Sequence, residues 1–202
     1  DMRSVFAAVL LDNEARGPAG LSDPNFGRLR EPMLRLVQCA RSLGATSASG
    51  NWSIDNTSDS AGRLSQSPLR SPSVFNFFRP GYVPPSTAIA SNGMVAPEFQ
   101  IVNETSVGGY LNYMQGVIGS TTNDVRSTYA TELGLAMDAS ALVDRLNLLM
   151  SAGQLSKATT DLIKSALNAT ALNASSTDAS KRNRVCAAVL MVMGCPEYLV
   201  QK

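Results

Sequence analysis

Seven charged residues of this chain sit beside apolar neighbours in short segments marked by proline or aromatic residues: Asp12, Glu14, Arg16, Arg30, Glu31, Arg79 and Glu98. Apolar neighbours desolvate a charge and shift its pKa, so these are the positions where charge could do chemistry. Two carboxylates that face one cleft can hydrolyse a glycosidic bond, one as acid and the other as base or nucleophile. Glu31 and Glu98 are the candidates for such a pair. The competing reading is architectural. Each of these carboxylates has an arginine close in sequence or in a partner segment, and a planar guanidinium binds a carboxylate bidentately. Structural ion pairs among Glu14, Arg16, Arg30, Glu31, Arg79 and Glu98 would pin loops to helix ends, and this is the preferred expectation.

Other chemistries are narrower. The chain has no histidine, which removes Ser-His-Asp and Cys-His catalysis and the commonest metal ligand. No serine lies in a G-x-S-x-G turn. Cys39, Cys186 and Cys195 lack CxxC spacing, so one disulfide with a thiol left over and three small buried hydrophobes both stay open. Asp55 and Asp59 place oxygen ligands in one loop, as a hard cation prefers, but without the glycine and bidentate glutamate of an EF-hand; a solvated loop is the preferred reading. Trp52 and Tyr82, aromatic residues in polar loops, are the candidates for contacting a ligand. Asn-x-Ser/Thr triplets start at Asn51, Asn56, Asn103, Asn168 and Asn173 and read as loop composition. No cofactor is implied.

With 17 basic and 16 acidic residues the net charge is +1, without the basic excess of a nucleic-acid binder. The one basic cluster, Lys181, Arg182 and Arg184, reads as a solvated helix face. No apolar run approaches the roughly 18 residues that span a bilayer, so membrane insertion is not expected.

Met2, Val5, Phe6, Val9 and Leu10 recur at helical spacing up to Asp12. A second helix runs from about 27 to 42 with Met33, Leu36, Val37 and Ala40 inward, its regular part starting at Glu31 and Gly44 ending it. Residues 45–59 and 79–97 are irregular. Between them, three of the six phenylalanines fall within residues 75–78, bracketed by prolines, and read as an aromatic plug buried in a core. Helical stripes follow at Val107–Ile118, at Leu142–Met150 capped by Asp138 or Ser140, at Leu162–Leu167 capped by Ser156, and at Val185–Met193 ended by Pro196. The second and third of these four helical segments are joined by a short link and should form an antiparallel hairpin. At most one short β-hairpin fits, in the plug and residues 99–102.

Five segments in order, residues 12–16, Arg30-Glu31-Pro32, the phenylalanine run, Pro97-Glu98-Phe99 and Pro196-Glu197-Tyr198, are similar to the C-terminal part of the bacterial family called "domain of unknown function 1800". Members are usually more than twice this length and exported, so the resemblance implies a fragment or processed product of a secreted or periplasmic protein, with the remainder of its own chain as a partner.

The expectation is thus an all-α domain over 1–202: an irregular bundle of about six helices with long Pro/Ser-rich loops, divided into a helical pair (1–44), long loops with the Phe-rich plug (45–103) and a helical bundle (104–202). The expected function is that of a non-enzymatic structural or interaction module of a secreted bacterial protein, meeting another polypeptide or a cell-surface polymer. The alternative is an exported carboxylate-dependent hydrolase acting on a polysaccharide or similar polymer.

Overall fold

The computed structural model describes residues 1–23 and 26–202. Six helices of ten residues or more carry the fold: α1 (Met2–Leu11), α2 (Pro32–Ser42), α3 (Glu104–Gly119), α4 (Ala139–Ser151), α5 (Lys157–Asn168) and α6 (Asp178–Gly194). Single turns at Asn13–Arg16, Ala19–Ser22, Ala88–Ser91, Ala130–Gly134 and Pro196–Leu199, and a 3-10 turn at Pro97–Gln100, connect them. The chain is all-α in class, as its periodicity predicts. Two antiparallel ladders of two residues each interrupt it: β1 (Arg28–Leu29) with β4 (Val200–Gln201), and β2 (Thr46–Ser47) with β3 (Val125–Arg126).

The centre is α6. Val185, Ala188, Val189, Val192 and Met193 follow the spacing of one helix face, and all are fully buried against α3, α4 and α5. Facing them are Tyr110, Met114 and Ile118 of α3, Leu142, Val143, Leu146 and Met150 of α4, and Ile163 and Leu167 of α5. Each buried aliphatic chain of this kind stabilises by about 1.5–3 kcal/mol relative to exposure. The α4–α5 hairpin forms as expected, with Asp138 and Ser156 accepting hydrogen bonds from Ala141 N and Thr159 N at the two N-termini. Three of the Asn-x-Ser/Thr asparagines serve local structure: Asn103 makes a capping box with Ser106 at the start of α3, and Asn56 and Asn173 accept from the amides of Ser58 and Ser175.

The second helix starts where Pro32 allows but buries a different face. Pro32, Arg35, Leu36, Cys39 and then Leu43 turn inward, and Met33, Val37 and Ala40 are only partly covered. The face is rotated because Arg35 belongs to the interior. α2 packs on α4, whereas α1 makes its main contacts with the turn at Asn13–Arg16 and has no buried residue.

The aromatic plug is not in the core. Phe75 is 59% exposed, Phe77 and Phe78 are half-buried, and Val74 and Leu69 stand out fully in solvent. Residues 73–76 close on themselves in a tight bridge, with positive φ at Leu69 and Asn76, so three phenylalanines in four positions cannot all face inward. The helical stripes fill the interior without them. This segment is held by polar bonds instead: Arg79 N donates to Gln100 Oε1 at 2.8 Å, and Ala96 N donates to Tyr82 O at 2.9 Å.

Four of the five family-like segments meet in two pairs. Arg30 lies over the ring of Tyr198 at 4.7 Å, Arg30 N donates to Leu199 O at 2.7 Å, and Tyr198 Oη donates to Arg35 O at 3.2 Å. The C-terminal turn thereby folds back on α2, with Tyr198 fully buried. The phenylalanine segment meets Pro97–Gln100 through the Arg79–Gln100 bond.

Candidate functional site

One carboxylate organises the loop after β2. Asp124, just ahead of β3, accepts from Ser47 Oγ at 2.9 Å, Ser49 N at 2.7 Å and Ser53 N at 2.8 Å, while its carbonyl accepts Ala48 N at 2.9 Å. The two backbone amides, from Ser49 and then Ser53, hold its pKa far below the usual carboxylate range. Ser47 Oγ also accepts Trp52 N at 3.0 Å, and Trp52 sits at φ 54°, a left-handed conformation uncommon for a bulky residue. The loop wound around Asp124 over-determines that conformation and leaves the indole 58% exposed.

The indole edges a cleft of about 720 Å³ between α2, α3 and the segments 52–55 and 123–127. Val37, Val117 and Ile118 form its apolar floor, with Tyr113 beside them. Three arginines line it: Arg41 from the last turn of α2, Arg63, and Arg126 from β3. Arg63 pairs with Asp55 at 3.6 Å, donates to Asn56 O at 2.8 Å and lies over the ring of Tyr113 at 5.9 Å. Arg126 donates to Asn123 O at 2.7 Å. Arg41, on the exposed side of α2, enters none of the ion pairs among the described residues. Against the three arginines stand two carboxylates, Asp55 paired with Arg63 and Asp124 kept ionised by the loop amides, so the walls carry a small net positive charge.

Of the residues singled out by sequence, Trp52 and Asp55 line the cleft. Glu31 and Glu98 do not. Glu31 is the residue ahead of α2 and accepts from Gln66 Nε2, while Glu98 lies in the Pro97–Gln100 turn. Tyr82 is half-buried outside the cleft, bonded to Ala96. Asp59 accepts the amides of Ala61 and Gly62 in its own turn, away from Asp55, which pairs with Arg63. Among the described residues no group of three or more His, Cys, Asp or Glu could hold a metal ion.

The expected ion-pair network among Glu14, Arg16, Arg30, Glu31, Arg79 and Glu98 is not what pins the loops. Among the described residues the ion pairs are Arg63–Asp55, Arg145–Glu132, Lys157–Asp161, Lys164–Asp144 and Lys181–Asp178. Arg30 takes Gln38 and the Tyr198 ring, Glu31 takes Gln66, and Arg79 offers its backbone amide to Gln100. The buried ion pair is Glu132 with Arg145, at 2.6 Å, where only the arginine reaches solvent.

The basic cluster on α6 is also unlike a solvated face. Arg184 is 8% exposed and donates to Ala136 O and Thr170 O; Arg182 donates to Ser120 O and lies over Tyr129 at 5.1 Å. Arg35, 2% exposed, donates Nε to Arg30 O at 2.7 Å and lies over Tyr110 at 4.9 Å, and burial lowers its pKa. The three cysteines are free thiols; burial pushes Cys39 up to about 12, and Cys186 and Cys195 upward as well.

Sequence reasoning missed Arg41, Arg63, Tyr113, Asp124 and Arg126. They come from four separate segments, and no local spacing joins them. The only available signal was a lone tryptophan in a loop rich in serine, where a polar hub could be sought.

The family model described as "Protein of unknown function (DUF1800)" matches residues 1–200. No curated protein matches the chain, and no solved structure does.

Proposed function

As the chain belongs to the DUF1800 family, whose description names no activity, we propose from the site itself that it is a non-enzymatic interaction module of an exported bacterial protein, which holds a partner polymer in the cleft beside Trp52. The observation that carries this reading is the pairing of a fixed, half-exposed indole with carboxylates that are already engaged. Asp124 accepts three hydrogen bonds and Asp55 faces Arg63, so neither carboxylate is left over to act as the second member of an acid/base pair. What the cleft offers is a flat apolar face, an apolar floor and cationic rims, which suits binding.

Trp52 is the chain's one tryptophan, so intrinsic fluorescence reports this site alone. The test is co-sedimentation with insoluble bacterial cell-wall polymers, with Trp52 emission followed in soluble fractions of the same material. Binding is expected, and Trp52→Ala is expected to remove it while leaving the melting temperature in place, because the indole is largely in solvent. Release of new reducing ends from the polymer, lost in Glu31→Gln or Glu98→Gln with the fold intact, would replace this reading with a carboxylate-dependent hydrolase.

A further inference from the structure

Resting on the reading of the Trp52 cleft as a polymer site, we propose that its ligand is a carboxylate-bearing saccharide, a short stretch of an acidic polysaccharide. Arg41 is assigned as the contact for the carboxylate. Three features of the cleft select this chemistry.

The first is charge. Arg41, Arg63 and Arg126 line the same walls, and the two carboxylates there are held by the loop and by Arg63. An incoming anion therefore meets three guanidinium groups against two carboxylates, both of which already have partners. Arg63 and Arg126 already donate to carbonyls of their own loops, whereas Arg41 enters no ion pair among the described residues and is exposed at the end of α2. A planar guanidinium in that position is suited to grip a carboxylate bidentately.

The second feature is the surface offered to the rest of the ligand. Trp52, largely exposed, lines the cleft together with the aliphatic Val37, Val117 and Ile118. An indole face fits the C–H side of a pyranose ring, and Asn112, Asn123 and Ser127 in the same cleft supply amide and hydroxyl groups at the scale of sugar hydroxyls. The cleft, at about 720 Å³, falls within the range of about 300–1,000 Å³ typical of ligand sites and has room for more than one ring.

The third feature argues against an acidic peptide. Peptide strands are usually held by rows of main-chain donors and acceptors. Here the amides of Ser49 and Ser53 are taken by Asp124, that of Trp52 by Ser47, and the β2–β3 ladder is only two residues long. These three loop amides are therefore not available to an added strand.

The test is titration of Trp52 emission in the full chain with a short oligogalacturonate and with the methyl ester of the same oligomer. The acid form is expected to saturate the signal. The ester is expected to bind at least about tenfold more weakly, the size of effect that loss of one charge contact of about 1.4 kcal/mol produces. Arg41→Gln should weaken the acid by a similar factor, leave the ester unchanged and melt with the wild type, because Arg41 supports no other residue through an ion pair. Equal affinity for acid and ester, or an Arg41→Gln variant that binds the acid like the wild type, would overturn the charged-ligand assignment and leave the cleft as a polymer site. Saturation by a glutamate-rich peptide, dependent on Arg41 and absent with the oligogalacturonate, would overturn the saccharide class. If neither sugar moves the emission of Trp52, the proposal fails outright, and cell-wall co-sedimentation decides separately whether the cleft binds a polymer.

Discussion

Replacing Arg184 by lysine keeps the charge and most of the volume, yet it should destabilise the protein as much as removing the charge altogether. Arg184 projects from α6 with 8% of its surface exposed, and its two terminal nitrogens go to different segments, Nη1 to Ala136 O at 3.3 Å and Nη2 to Thr170 O. A guanidinium reaches both at once because its donors are splayed in a plane; an ammonium is a point that satisfies one. Arg184→Lys therefore loses at least one hydrogen bond from a charged donor, worth about 1.5–3 kcal/mol, while the charge stays buried. Arg184→Met loses both bonds but also the buried charge. Thr170 is exposed and its carbonyl regains water, so the residual cost is that of Ala136, a fully buried residue, at about 1–3 kcal/mol for an unsatisfied carbonyl. At about 2–4 °C per kcal/mol for a chain of this size, both variants should melt roughly 4–8 °C below wild type, lysine no higher than methionine. Calorimetry decides it. A lysine variant within about 1 °C of wild type, or one well above methionine, would show that charge alone matters and that the two-carbonyl grip is not what holds these loops.

Two further outcomes follow from local geometry. On α3, a methyl group at Gly109 would come 2.6 Å from Ser60 O, backbone that cannot swing away, whereas Gly108 one residue earlier faces open space. Gly108→Ala should stabilise by about 0.5–1 kcal/mol and Gly109→Ala should cost about 1–3 kcal/mol, read as opposite shifts of the urea midpoint; shifts of the same sign would refute the close approach of residues 60–61 to this helix. At Asp124 the folded pKa lies below its ordinary value of about 3.9, so its support for the loop is complete above that value and fades only as pH falls through the depressed one. The amide proton shifts of Ser49 and Ser53 should therefore stay constant from pH 7 to about 4 and move only in stronger acid, and a midpoint near 4 would show that the carboxylate is not held by these amides.

What the sequence makes legible here is what local chemistry decides. The caps at Asp138 and Ser156, the proline start of α2, the left-handed Gly44 after it and the halt at Pro196 each depend on residues within one turn. The inward face of α2 was misjudged because Arg35 looks polar in a hydropathy pattern, although aromatic rings and a carbonyl receive it inside the protein. The phenylalanine run was misjudged for the opposite reason. Its composition demands burial, but the bridge at residues 73–76, with left-handed backbone at Asn76, leaves Phe75 exposed and Phe77 and Phe78 only half-buried. Asp124 was invisible because its partners lie 71 to 77 positions away, and a carboxylate that binds serine amides leaves no charge pattern to detect. Trp52 was legible as an aromatic residue out of place in a polar loop; the arginines around it became a site only through folding.

The arginines connect the architecture to the cleft. Loops were expected to be tied down by arginine–carboxylate pairs, yet Arg35, Arg63, Arg126, Arg182 and Arg184 all donate to main-chain carbonyls, and Arg30, Arg35, Arg63 and Arg182 lie over tyrosine rings. A carbonyl is fixed to the backbone, so a guanidinium bound to it holds the chain itself, where a carboxylate on a flexible stem would hold only another side chain. Desolvation of a second full charge is avoided as well. In the cleft the same arrangement has a functional consequence. Arg63 and Arg126 are oriented by their own loops before any ligand arrives, so little side-chain freedom remains to be lost on binding. Trp52 is fixed in the same way, by Ser47 and the loop around Asp124. Of the three cleft arginines only Arg41 has neither an ion pair nor a carbonyl partner for its guanidinium among the described residues, which is why its substitution is the one that should separate recognition of an anion from stability of the fold.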